Sequence, residues 1–143
     1  SGVVEDVRVT DSYSIYDRFD FGIPLGTKGD CWDRYYVRVE EMRESIKIIE
    51  NAMRDMPNGD ILAKVRRIAR PPKGEAFVRT ESPRGDLGVF VVSDGSDMPY
   101  RVKVNATSFA NLQALQLMLE GAYLADAVLI LGSIDIIMGE VDR

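Results

Sequence analysis

The feature that most limits how this chain can fold is a single apolar stripe. Tyr35, Val39, Met42, Ile46, Ile49, Met53 and Met56 recur at alternating intervals of four and three residues. That repeat falls on one side of an α-helix and lasts about six turns. Glu40/Arg43, Glu44/Lys47 and Glu50/Arg54 set opposite charges three or four apart on the exposed sides. Asp30 stands where an N-cap belongs, and Asp33 falls in the first turn, where a carboxylate suits the helix dipole. Pro57-Asn58-Gly59 stops the pattern. The spacing predicts one long amphipathic helix over 32–56.

Around that helix the pattern changes. Residues 1–31 read as an irregular or strand-rich lead-in, with Val3, Val7, Tyr13, Ile15, Tyr16, Phe19 and Phe21 broken by Gly22, Pro24, Gly26 and Gly29. The stretch 61–73 is a basic connector carrying Lys64, Arg66, Arg67, Arg70 and Lys73 and ending in Pro71-Pro72. It is either a solvated linker or a patch for an acidic partner or anionic lipid headgroups. Residues 75–105 predict a three-stranded antiparallel meander: 75–81, a Ser82-Pro83-Arg84-Gly85 turn, 87–93, a second turn at 95–99, then Tyr100, Val102 and Val104 alternating with Arg101, Lys103 and Asn105. That third strand should be solvated on one face. Ser108 is a candidate N-cap for a helix ending near Gly121, and 123–131 predicts a buried helix. The fold expected is α+β in one domain, 1–143, with C-terminal helices over 108–143.

Composition narrows function. With 143 residues and 45% hydrophobic content, a core burying roughly 68% of the unfolded surface is expected. A net charge of −5 argues against a phosphate-backbone binder, so no nucleic-acid partner is expected. The single cysteine, Cys31, and the absence of histidine remove a disulfide framework, the commonest metal ligand and the usual general base. No cleavable signal pattern opens the sequence. The longest apolar run, at 127–132 beside Asp126, is too short to span a bilayer, so a soluble or peripheral domain is expected.

Local chemistry is sparse. Gly85-Asp86-Leu87-Gly88 lacks the spacing and context of a dinucleotide loop, and Cys31 without a histidine partner reads as a packing residue rather than a nucleophile. Tyr13, Tyr16, Asp17, Arg18 and Asp20 alternate aromatic and charged groups, which suits a packed interface as well as a site. Asp126 and Asp135 stand inside apolar sequence, where isolated carboxylates are costly. Each either caps a helix or pairs with an arginine, or else lines a polar cavity and handles protons. The apolar tail from Gly132 to Arg143 is unusual for a free chain end.

Several strings taken together carry a resemblance. Ser12-Tyr13-Ser14-Ile15-Tyr16-Asp17-Arg18-Phe19-Asp20-Phe21 is followed by Gly29-Asp30-Cys31-Trp32-Asp33-Arg34-Tyr35-Tyr36-Val37-Arg38-Val39-Glu40-Glu41-Met42. Then come Glu81-Ser82-Pro83-Arg84-Gly85-Asp86-Leu87-Gly88, Val92-Ser93-Asp94-Gly95, Pro99-Tyr100-Arg101-Val102-Lys103 and Gly139-Glu140-Val141-Asp142-Arg143. In this order, over effectively the whole chain, they resemble the C-terminal part of the D subunit of respiratory complex I (NADH–quinone oxidoreductase) and its archaeal relatives. The short connector after Ile61 is similar to the archaeal forms, including those fed by reduced coenzyme F420 or ferredoxin.

The resemblance implies a C-terminal fragment of a longer subunit, with a fold like the C-terminal portion of the related nickel–iron hydrogenase large subunit. Hydrogenases hold their metals with two Cys-x-x-Cys pairs. Where the second pair would fall this sequence reads Gly139-Glu140-Val141-Asp142-Arg143, so it supplies no thiolate and no metal site is expected. In the family the old metal cavity has become the quinone pocket. By that pattern Asp135 and Ile137 match quinone-binding positions, with Glu140, Asp142 and Arg143 in the polar layer around them. No catalytic residue is expected. No cofactor is expected on this chain, with quinone as substrate and NAD and iron–sulfur clusters on partner subunits. The partners implied are the iron–sulfur B subunit, the C subunit and the membrane H subunit, at the cytoplasmic side of the membrane. Electron transfer there drives proton translocation, and the isolated fragment is expected to be inactive. Two rivals stand beside this reading: a fragment of a membrane-bound hydrogenase-like complex, and a scaffold domain that docks neighbouring subunits.

Overall fold

A computed structural model describes residues 2–64, 68 and 70–142. Its elements are, in order, α1 (Val7–Thr10), α2 (Cys31–Arg54), β1 (Gly74–Ser82), β2 (Gly85–Ser93), β3 (Arg101–Asn105), α3 (Thr107–Leu112), α4 (Leu115–Leu119), α5 (Ala127–Ile134) and α6 (Met138–Val141), with 3₁₀ turns at Tyr16–Arg18 and Leu124–Asp126. The α+β architecture matches expectation. Of the connector, Val65, Arg66, Arg67 and Ala69 lie outside the described residues.

The long helix begins as its sequence dictates. The Asp30 carboxylate accepts the Asp33 N–H at 2.8 Å, and Asp33 reaches back to the N–H groups of Lys28 at 2.5 Å and Gly29 at 3.1 Å. The Asp30 carboxylate thus satisfies a donor that the helix start leaves orphaned, and Asp33 ties the preceding loop to the first turn. Two flanking ion pairs form, Arg43–Glu40 at 2.5 Å and Lys47–Glu44 at 2.6 Å. The third does not: Arg54 turns to the adjacent Asp55 at 3.1 Å instead of Glu50. The stripe itself is uncovered, from Ile46 at 54% exposure to Met53 at 68%.

The sheet is an antiparallel meander in the order β1-β2-β3. Ser82 opposite Gly85 closes a two-residue loop, Pro83-Arg84. Gly85 has φ +120°, and a Cβ there would sit 3.1 Å from Thr107 Cγ2, so only glycine fits this corner. The third strand departs from expectation. Of its apolar positions Val102 is open too, at 49%, and Val104 is only half-buried.

Further expectations are narrowed or corrected. Of the two readings of the lead-in, the irregular one holds and no strand forms among its described residues; the Asp6 side chain takes the Arg8 N–H at 2.9 Å and curls the chain into α1. Ser108 is not an N-cap: Ala106 holds that position without a side-chain bond, and Ser108 is buried inside the first turn of α3. The helix expected from there to Gly121 is two, α3 and α4, separated by a tight turn in which Gln113 and Ala114 donate to Ala110 and Asn111. The stretch 123–131 is likewise not a buried helix. It opens with a 3₁₀ turn, and Leu124 and Val128 are exposed, while Ile130 and Ile134 alone of α5 are buried.

The core is correspondingly small. Among the described residues its buried apolar side chains are Val7, Ala106, Ile130 and Ile134. The chain exposes 11348 Å², where a folded monomer of 16.0 kDa shows roughly 7,400 Å². The expected burial is not reached, because α5 packs against α2 and α4 yet leaves much of the apolar surface of all three helices uncovered.

Candidate functional site

The tail turns back on the body of the molecule at Asp135. After α5 ends, Asp135 adopts φ 57° and ψ 52°, and its N–H bonds to the Gly132 carbonyl. A non-glycine residue in this left-handed region costs about 1–2 kcal/mol, so something must hold it there. Arg84 does. From the hairpin loop its Nε donates to the Asp135 carbonyl at 2.6 Å, and a terminal guanidinium nitrogen lies 3.2 Å from the Asp135 carboxylate. Asn111 of α3 donates to the Arg84 carbonyl at 3.2 Å, locking the loop to the helix behind it. Of the readings open for Asp135, pairing with an arginine and capping a helix both hold. Asp126, exposed at the N-terminus of α5, makes no side-chain cap bond.

Beyond Asp135 the remaining candidate residues diverge. Ile137 is 47% exposed, and its N–H points at the Ser108 hydroxyl at 3.5 Å. The Glu140 carboxylate accepts from that same hydroxyl, which, with the N–H groups of Ser108 and Thr107, holds it below the usual glutamate range. Asp142 is exposed at the end of α6, bonded through its N–H to Met138. Arg143 lies outside the described residues.

A groove of about 770 Å³, open on one side, runs from α2 to this turn. Arg34, Arg38 and Glu41 line it from the helix, Glu81 and Arg84 from the hairpin, and Asp135 from the tail. Ile137, Glu140 and Asp142 do not line it. Arg34 fastens the tail's side, its Nε donating to Ser133 at 2.8 Å while another nitrogen donates to the Gly29 carbonyl at 2.6 Å. Burial pushes Glu41 up against the pull of Arg38 and Arg8. Burial also pushes Glu81 up, although the Val7 N–H, 3.0 Å away, favours its charge. Tyr13 packs nearby, its hydroxyl accepting from Thr80 at 2.8 Å and the Glu81 N–H at 3.2 Å, while Tyr16 of the same lead-in lines the groove.

The apolar stripe of α2 gives no hint of the groove's charged lining. Arg34, Arg38 and Glu41 are spaced four and three apart, a second, polar stripe on the same helix, and that spacing is the signal the sequence holds for it. Among the described residues no trio of histidine, cysteine, aspartate or glutamate could hold a metal, and no helix is long and apolar enough to cross a membrane. Cys31, first residue of α2, accepts from Arg34 at 3.3 Å.

Comparison with known proteins agrees along the whole chain. Residues 1–73 and 64–143 match the family described as the 49 kDa subunit of respiratory-chain NADH dehydrogenase. The D subunits of the NADH-quinone oxidoreductases of Bacillus cereus and Bacillus anthracis are each 53% identical over 99% of this chain and 39% of their own length. That of Dehalococcoides mccartyi is 51% identical over 100% of this chain and 39% of its own. The chain therefore spans about two fifths of the length of these relatives.

Proposed function

Because this chain belongs to the family of the 49 kDa subunit of respiratory-chain NADH dehydrogenase, we propose that it forms one wall of the quinone cavity in a complex-I-type NADH–quinone oxidoreductase that pumps protons. The observation that carries the reading is the Asp135 turn, held by Arg84 at the rim of the groove. Quinone reduction consumes protons, and a half-exposed carboxylate beside a charged groove suits their delivery. Ile137, an exposed β-branched side chain two residues on, offers an apolar surface for a ring or tail. Electrons would reach the quinone from groups on partner subunits, and this chain's part is shape and a proton. The B, C and H subunits are the partners proposed, at the cytoplasmic side of the membrane.

The deciding experiment is Asp135→Asn in the assembled complex. The wall reading expects quinone reductase turnover to fall at least tenfold with the variant chain present at wild-type abundance. A second reading, a docking domain with structural aspartates, is favoured by the uncovered stripe of α2. Near-normal turnover in an intact complex would establish it and overturn the first.

A further inference from the structure

A buried hydroxyl links two of the wall residues. Ser108 is 1% exposed. It lies in the first turn of α3, whose N-cap, Ala106, offers no side-chain acceptor. The missing acceptor comes from 32 residues further along the chain. Glu140 brings its carboxylate to the start of α3, where the Ser108 hydroxyl and the N–H groups of Ser108 and Thr107 keep it ionised. A hydroxyl has one proton to give and two lone pairs to offer. Ser108 donates the proton to Glu140, and one lone pair faces the Ile137 N–H at 3.5 Å. Thr107 anchors the same turn to the hairpin, its hydroxyl 3.2 Å from both Ser82 Oγ and the Asp86 carbonyl. The segment between Asp135 and Glu140 is thus pinned at both ends, by Arg84 at the first and by Ser108 at the second, onto one rigid corner of the fold.

We propose that Ser108 is a positioning residue for the quinone wall: it fixes Ile137 through its backbone and diverts Glu140 from the cavity to the start of α3. This rests on the wall reading and refines it. Glu140 becomes a helix cap delivered from a distance, not a quinone contact.

The test uses an intact membrane complex in which this sequence replaces the matching part of the Bacillus cereus homologue, assayed with a short-chain water-soluble quinone. Ser108→Ala is expected to raise the quinone KM about three- to tenfold with kcat within twofold, the pattern of lost binding geometry without lost chemistry. Glu140→Gln, which keeps size and an acceptor, should give a smaller rise in KM. Hydrogen exchange at the Ile137 and Glu140 amides should quicken in both variants, a change that a quinone-contacting Glu140 would not produce. If Ser108→Ala depletes the complex, Glu140→Gln carries the decision alone. Unchanged KM and exchange in Glu140→Gln would overturn the proposal. So would a kcat loss at unchanged exchange, which would return Glu140 to the cavity. Should Asp135→Asn and Ile137→Trp leave quinone kinetics untouched while exchange quickens in the Ser108 variant, the wall reading fails and the local latch stands.

Discussion

Three carboxylates respond to pH in opposite senses. Glu140 is held below its ordinary range by the Ser108 hydroxyl and nearby N–H groups, so its contribution to stability is present above the unfolded value and is lost as pH falls through the folded one. Glu41 and Glu81 are pushed up by burial, so what they contribute is present at low pH and is lost as pH rises through their folded values. In Glu140→Gln the melting temperature at pH 7 should drop by a few degrees and its fall on acidification should be shallower than in the parent. In Glu81→Gln, which can still accept the Val7 N–H, the melting temperature at pH 8 should match or exceed the parent's, with the difference closing by pH 4. Thermal melts across that range check both. None of this is visible in the sequence, where family pattern alone places Glu140 in a polar layer. A cap supplied from 32 residues away leaves no short-range signature.

At the scale of elements, local chemistry is the reliable guide. Asp30 and the four-three stripe determine where α2 starts and which face is apolar, and the Ser82–Gly85 turn sets the hairpin register. Replacing Asp30 by alanine should cost about 1 kcal/mol, measured by denaturant titration. Asp30→Asn, which keeps an acceptor, should recover most of that. Where tertiary contacts decide, sequence pattern misleads. Asn111 has the look of an ordinary helical residue, yet it is drawn to the Arg84 carbonyl next to the tight turn that splits one expected helix into two. Asp6 favours a turn over a strand in the lead-in through its carboxylate, which takes both the Arg8 N–H and the Arg8 guanidinium. Arg34, Arg38 and Glu41 are legible only once an opposite wall exists to make their face a groove.

For the whole molecule, the imbalance lies between apolar surface and cover. An accessible area of 11348 Å² is about half as large again as a folded monomer of this mass shows. Exposed patches on this scale mark interaction surfaces. The 143-residue chain in isolation should self-associate at micromolar concentration, with light scattering reporting species at or above twice 16.0 kDa. Ile46→Asp together with Ile49→Asp, on the open stripe of α2, should shift it towards monomer. A monomeric parent chain, or association indifferent to these changes, would move the sticky surface elsewhere.

The long reach of Glu140 also imposes an order on biosynthesis. A ribosome adds residues 107–112 before it adds the carboxylate that finishes their first turn, so the leading N–H groups of α3 wait on the tail. Hairpin, helix and tail can close into one corner only after residue 140 has been added.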